Sequence, residues 1–319
     1  MKILANDGID AKGQAALEAM GCTVLTEKVN QDALASFIQN ENIDGLLVRS
    51  ATTARKDLID ACPNLKFIGR GGVGIDNIDA VYAREKGVDV FNTPASSSAS
   101  VAELVMAMLF ASNRFIYQAG GSMPVNGEET FEVLKKNYGK GKEVKGKTLG
   151  IIGFGRIGQS LAEYALGCGM RVMFFDRSKT EQTVVLSING SPVEVKLNVS
   201  SFEEVLRESD FISLHVPKQP NGSSVIGAAE FAQMKKNAVV VNTSRGGTIH
   251  EGELIEALDN GVIAGACLDV FENEPRPNAA LLKHAKIIAT PHIGAATAEA
   301  QERIGLEIAE NVKRIMGAN

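Results

Sequence analysis

The chain has 319 residues, 45% of them hydrophobic and 22% charged, a balance that excludes a mostly disordered protein and leaves room for two domains. Its net charge is -5, with no dense basic tract, which argues against a nucleic-acid partner. The longest apolar run, residues 104–111, is eight long where a membrane span needs about 20, so no membrane partner is expected.

Short β-branched runs at 2–5, 23–26, 45–48, 67–69 and 88–91 read as strands, with helical patterns at 11–20, 32–39 and 56–61 between them. Such alternation predicts βαβ units and a parallel sheet. Ser100 and Glu103 have capping-box spacing at the start of a helix that runs to about Phe115. That helix is apolar nearly all round, which predicts burial against another domain or subunit. Residues 123–147 are polar and glycine-rich, with six lysines from Lys135 to Lys147. They read as a solvated connection, or as a loop that lends a cation to an anionic ligand. A second alternating series has strands at 148–152, 172–175, 211–216, 238–242, 263–268 and 287–290, and a closing helix at 298–316. Residues 184–199 interrupt it with a hairpin pattern around Asn189-Gly190, a pair suited to a type I′ turn.

Cys22, Cys62, Cys168 and Cys267 form no CxxC pair and read as buried thiols in a reducing, cytoplasmic setting. No His/Cys/Asp cluster has metal-ligand spacing, so no metal is expected. Glycine is abundant, at 32 residues without a period, so the excess belongs to particular turns. One is Gly153-Phe154-Gly155-Arg156-Ile157-Gly158, between a strand and an apolar-periodic segment. In that context the first glycine permits a tight turn, the second lets backbone approach a pyrophosphate, and the third lets helix pack on strand. Asp176 closes the next strand, where an acid binds ribose hydroxyls and repels a 2′-phosphate, favouring NAD over NADP.

Three further groups follow three strand ends: Arg245, Glu274 and His292. In a parallel sheet those ends share one edge, the edge where ligands bind. Hydride transfer from a secondary alcohol needs a base for the hydroxyl proton, a cation for the substrate carboxylate, and a group that orients the base. His292 suits the first role, Arg245 the second and Glu274 the third.

With the runs Gly69-Arg70-Gly71-Gly72-Val73-Gly74-Ile75-Asp76-Asn77, Asn242-Thr243-Ser244-Arg245-Gly246-Gly247, Leu268-Asp269-Val270-Phe271-Glu272-Asn273-Glu274-Pro275 and Pro291-His292-Ile293-Gly294-Ala295, the sequence resembles the D-isomer-specific 2-hydroxyacid dehydrogenases along nearly its whole length. The resemblance implies an α/β fold of two doubly wound parallel-sheet domains. A Rossmann NAD-binding domain (99–290) would be inserted into a flavodoxin-like substrate domain (1–98 plus 291–319). It implies an Arg245/Glu274/His292 triad, NAD as cofactor, and a homodimer or tetramer with the helix from Ser100 in the interface. Beyond the glycine loop, cofactor contacts fall on Arg156, Ile157, Asp176, Val216, Thr243, Ser244, Asp269 and Gly294, with Asp269 meeting the nicotinamide carboxamide.

The sequence is most similar to members that take a phosphorylated hydroxyacid, in a short form without a C-terminal regulatory domain. On that basis Arg49, Ser50 and Arg70 would meet the phosphate, across a cleft from His292. The amides of Gly72, Val73 and Gly74 would hold the substrate carboxylate. An unphosphorylated D-2-hydroxyacid, such as the glyoxylate, hydroxypyruvate or D-lactate pairs, is the alternative within the family. A nucleotide-sensing binding protein of the same fold is the alternative outside enzymology.

Overall fold

A computed structural model describes residues 1–317. The chain divides into two compact units: Met1–Ser98 together with the segment from Ala295, and Ala99–Gly294.

The first unit alternates β1 (Lys2–Ala5), α1 (Ala11–Ala19), β2 (Thr23–Leu25), α2 (Gln31–Asn40), β3 (Gly45–Val48), α3 (Lys56–Ala61), β4 (Phe67–Arg70), α4 (Ala80–Glu85) and β5 (Asp89–Asn92). All its strand pairs are parallel, in the order β2-β1-β3-β4-β5, the flavodoxin-like order. β3 is four residues long and buried on both faces, as a continuous apolar run in a helix-covered parallel sheet should be.

The second unit opens with α5 (Ser98–Arg114) and α6 (Ile116–Tyr138), followed by β6 (Thr148–Ile152), α7 (Arg156–Gly167) and β7 (Arg171–Phe175). Next come the hairpin strands β8 (Glu181–Ile188) and β9 (Ser191–Asn198), then α8 (Phe202–Glu208), β10 (Phe211–Leu214) and α9 (Ala228–Phe231). β11 (Val239–Asn242), α10 (Glu251–Asp259), β12 (Gly265–Leu268), α11 (Ala279–Lys283) and β13 (Ile287–Ala289) complete it. Six strands pair in parallel as β13-β12-β11-β10-β6-β7, with one apolar core on each face of the sheet. α12 (Ala298–Ile315) belongs to the first unit, where it packs on α1. There Gly13 and Gly305 approach so closely that a Cβ on Gly13 would lie 2.4 Å from Gly305 Cα.

The hairpin turns through Asn189 and Gly190 at φ 50° and 79°, the two positive values a type I′ turn needs. Val184 and Leu186 bury one of its faces in the core with Phe174.

Two sequence expectations are corrected. Residues 123–147 are not all connection, because α6 covers them as far as Tyr138. Gly120, Gly121, Pro124 and Gly127 mask its helical propensity, and the backbone does leave helical geometry at Asn126 and Thr130. α6 bends 61° from α5 at Phe115, whose φ is 53°. Ser100 is not an N-cap either. α5 starts two residues earlier, and Glu103 Oε1 accepts a hydrogen bond from the Tyr164 hydroxyl at 2.8 Å. No single helix among the described residues is long and apolar enough to cross a membrane.

Candidate active site

In the second unit β6 leads outward to β7, while β10 pairs on its other side. The carboxyl ends of β6 and β10 therefore frame the switch point where an open α/β sheet receives a ligand. Gly153 leaves β6 at φ 90°, and a Cβ there would lie 2.5 Å from His215 O, so the turn admits only glycine. Gly158 carries α7 down onto it, its Cβ position 2.6 Å from Gly153 O. Gly155 is the N-cap of α7 and supplies no side-chain bond. A Cβ on Gly155 would meet no protein atom within 4 Å. The positive end of α7, with Arg156 exposed and Ile157 part-buried behind it, thus faces open space suited to a pyrophosphate.

Asp176 follows β7. Its Oδ2 accepts from Phe154 N at 2.8 Å, and Oδ1 accepts from Ser178 N and Oγ at 2.9 and 2.8 Å. Burial works to raise its pKa, but these bonds and Lys179 bring it below the ordinary carboxylate value. The acid is therefore held charged, which disfavours a 2′-phosphate. His215 and Val216 lie just past β10. His215 Nε2 pairs with Ser213 Oγ at 2.9 Å, a partner the sequence did not reveal, and burial pushes its pKa down to about 4. His215 Nδ1 and Thr243 Oγ1 are shielded from solvent and have no hydrogen-bond partner among the described residues. Unsatisfied polar atoms beside the glycine turn and past the neighbouring β11 suit a polar dinucleotide.

Arg245, Glu274 and His292 follow β11, β12 and β13, three adjacent strands of this sheet. Glu274 Oε2 lies 2.8 Å from His292 Nδ1, and Oε1 accepts from Phe271 N at 3.0 Å. Burial favours the neutral acid, but the bonds from His292 and Phe271, with the charges of His292 and Arg245, depress its pKa below the usual value. His292 is 40% exposed at its side chain, with φ 56°. With Nδ1 occupied by the carboxylate, Nε2 is left for the substrate. Arg245 Nη1 donates to Ser244 O at 2.6 Å.

The remaining sequence candidates lie in the first unit. Arg49 follows β3 and Arg70 ends β4. Arg70 Nε donates to Arg49 O at 3.4 Å. Ser50 is exposed. The amide of Gly72 does not serve a carboxylate, because it donates to Thr93 Oγ1 at 2.8 Å and Arg70 O at 3.0 Å. That expectation narrows to the amides of Val73 and Gly74.

Residues 106–294 match the family described as D-isomer specific 2-hydroxyacid dehydrogenase, NAD binding domain. The chain is 42% identical to the hydroxypyruvate reductase of Thermotoga maritima, over 99% of this chain and 98% of that protein. The chain belongs to the D-isomer specific 2-hydroxyacid dehydrogenases. It is also 40% identical to the D-3-phosphoglycerate dehydrogenase of Methanocaldococcus jannaschii, over 99% of this chain but only 57% of that one. The chain thus spans little more than half the length of that relative. Among solved structures, the TT0316 protein of Thermus thermophilus superposes with a TM-score of 0.84 at 30% identity, over 100% of this chain and 98% of that one. This dehydrogenase is an oxidoreductase, and NAD is the cofactor its second unit takes.

Three features of the dehydrogenase site escaped the sequence. Asn242 ties the turn that carries Arg245. Its Oδ1 accepts from Ser244 N and Oγ at 3.1 and 2.8 Å, while its Nδ2 donates to Arg245 O at 3.0 Å. The signal was present, since Asn two residues before Ser forms such turns readily. Glu251 and Glu272 each accept from the other's backbone N–H, at 2.7 and 3.0 Å, and so lash the start of α10 to the turn before Glu274. Asp269 is the third. Only 1% exposed, it accepts from Thr290 Oγ1 and from Ile293 N and Gly294 N, the latter two at 2.8 Å. The Asp269 carboxylate and the Gly294 amide thus hold the His292 turn, a task additional to the cofactor contacts expected of them from the sequence. Among the described residues no group of three or more His, Cys, Asp or Glu is placed to hold a metal ion.

Proposed function

We propose that the enzyme interconverts D-3-phosphoglycerate and 3-phosphohydroxypyruvate, the entry to serine synthesis. When bound, NAD accepts the hydride from C2 of the hydroxyacid. His292 Nε2 takes the C2 hydroxyl proton as the hydride leaves and returns it in the reverse direction. Glu274 holds the ring by Nδ1 and stabilises the imidazolium that forms. Arg245 binds the substrate carboxylate and polarises the carbonyl as it develops. In the first unit, the amides of Val73 and Gly74 are the candidates for a carboxylate, and Arg49, Ser50 and Arg70 for a phosphate.

The observation that carries the phosphorylated substrate is Arg49. Its guanidinium is half-buried, burial pulls its pKa down, and it makes no ion pair among the described residues. The charge of Asp7 works the other way but does not outweigh burial, and a part-desolvated cation with no direct ion pair is costly unless an anion joins it. A second reading, reduction of unphosphorylated hydroxypyruvate, is favoured by the 42% identity to a hydroxypyruvate reductase of matching length.

NADH oxidation with 3-phosphohydroxypyruvate and with hydroxypyruvate separates the two. A kcat/KM at least tenfold higher for the phosphorylated compound, lost in Arg49→Ala, supports the first, and the reverse preference supports the second. Turnover that survives His292→Ala would remove the triad assignment altogether.

We also infer a homodimer in a reducing, cytoplasmic setting. Phe110 on α5 and Ile116, Tyr117 and Val125 on α6 are exposed, an apolar surface that a second copy would cover. The four cysteines are all free.

A further inference from the structure

The first unit has its own switch point. β1 is flanked by β2 on one side and β3 on the other, so its crevice opens at the carboxyl ends of β1 and β3. Asp7 lies two residues past β1 and Arg49 directly follows β3.

The Asp7 side chain is 5% exposed, yet it is not spent on the Arg49 guanidinium. Its Oδ2 accepts from the backbone N–H groups of Arg49 and Thr52, at 2.6 and 3.1 Å. Oδ1 accepts from Thr52 Oγ1 at 2.7 Å and pairs with the Lys28 ammonium. The carboxylate pairs directly with Lys28, and the Arg49 guanidinium feels the Asp7 charge but makes no direct ion pair among the described residues. From the other side Asn77 Nδ2 donates to Arg49 O at 2.7 Å and Thr52 O at 2.6 Å. The two residues at the ends of loop 49–52 are therefore pinned by their amides to Asp7 and by their carbonyls to Asn77. Between these anchors lie Ser50 and Ala51, both exposed. A loop fixed at both ends, with a side-chain cation at one end and a hydroxyl and two backbone amides at its tip, is organised for a tetrahedral or planar anion.

We propose that Asp7 and Asn77 are positioning residues that preset loop 49–52 for the anionic group of the substrate. The inference rests on the assignment of Arg49 and Ser50 as phosphate contacts. Asp7 sets their geometry through the loop backbone and, by bonding amides and Lys28, leaves the guanidinium's N–H donors to the ligand.

The test is steady-state reduction of 3-phosphohydroxypyruvate and of hydroxypyruvate by NADH, for wild type, Asp7→Asn, Asn77→Ala, Thr52→Val and Arg49→Ala, with thermal midpoints for each. Asp7→Asn and Asn77→Ala are expected to lower kcat/KM for the phosphorylated substrate at least tenfold more than for the unphosphorylated one, mainly through KM. Thr52→Val removes the Oγ1 contacts to Asp7, Asn6 and Lys28 but keeps the loop's backbone bonds, and shifts the same ratio about threefold. It serves as the deciding variant if the other two fail to fold. Proportional losses on both substrates, or a lowered midpoint with an unchanged ratio, overturn the inference. If Arg49→Ala alters the ratio and Asp7→Asn does not, only the positioning role fails. If Arg49→Ala leaves the ratio unchanged, the phosphate assignment fails and takes this inference with it.

Discussion

Gly246→Ala should disable the triad without touching any of its three side chains. A Cβ on Gly246 would lie 1.8 Å from Phe271 O and 2.2 Å from its carbonyl carbon. Real Cβ contacts essentially never fall below 3.0 Å, so the two turns must part by at least about 1.2 Å. Both obstructing atoms are backbone, and neither turn is loose. The first is knotted by Asn242, and the second is lashed to α10 through Glu251 and Glu272. The displacement therefore passes to Arg245 on one side and, through the Phe271 N–H bond, to Glu274 on the other. A misplacement of about 1 Å typically costs about 100-fold in rate, and the strain itself about 1–3 kcal/mol. We expect kcat/KM for hydroxyacid oxidation, followed by NADH absorbance, to fall about 100-fold. NADH affinity, read by fluorescence titration, should fall much less than kcat/KM, because the glycine turn follows β6, two strands from β11, and only Thr243 and Ser244 on the displaced turn are cofactor candidates. Retention of more than a third of wild-type kcat/KM in a folded variant would refute the reasoning.

Two further outcomes follow from the cofactor side. Gly155→Ala places its methyl where no protein atom lies within 4 Å, so the thermal midpoint should hold while NADH affinity drops at least tenfold; tight NADH binding would show that the pyrophosphate does not pass there. His215 has a folded pKa of about 4 against about 6.5 unfolded, so the unfolded chain takes up its proton first as pH falls. Stability is then lost between pH 6.5 and 4, by about 3 kcal/mol in all. Denaturant titrations at pH 7 and 4.5 should show this loss shrink in His215→Gln, and an identical pH slope in both proteins would contradict the burial argument.

The sequence announced the elements whose physics is local. β3, β6 and β11 are continuous apolar runs, and the hairpin is declared by Asn189-Gly190. α9 and α11 have four and five residues, too few for a 3.6-residue period to register. α6 was obscured by its own glycines and proline. At the site, strand-end logic found Arg245, Glu274 and His292 because a parallel sheet gathers such ends whatever the connecting lengths. The turn-holding bonds of Asp269 and the internal bonds of the Gly72 amide were missed for the opposite reason. What an acid or an amide bonds to depends on which turn the fold brings beside it, and Thr93, twenty-one residues from Gly72, cannot be paired with it by local spacing.

The packing of α12 has a consequence for synthesis on the ribosome. One face of the first unit's sheet buries Ile3, Leu47, Phe67 and Phe91 together with Ile304, Ile308 and Val312 of α12. Those α12 residues emerge about 200 residues after β5, which at roughly 5–20 residues per second is about 10–40 s later. For that interval this face of the nascent sheet has α1 but lacks the apolar cover of α12, while the second unit, contiguous in sequence, can already fold. The first unit, begun before the second, is thus completed after it, and its sheet needs protection from aggregation until α12 has emerged.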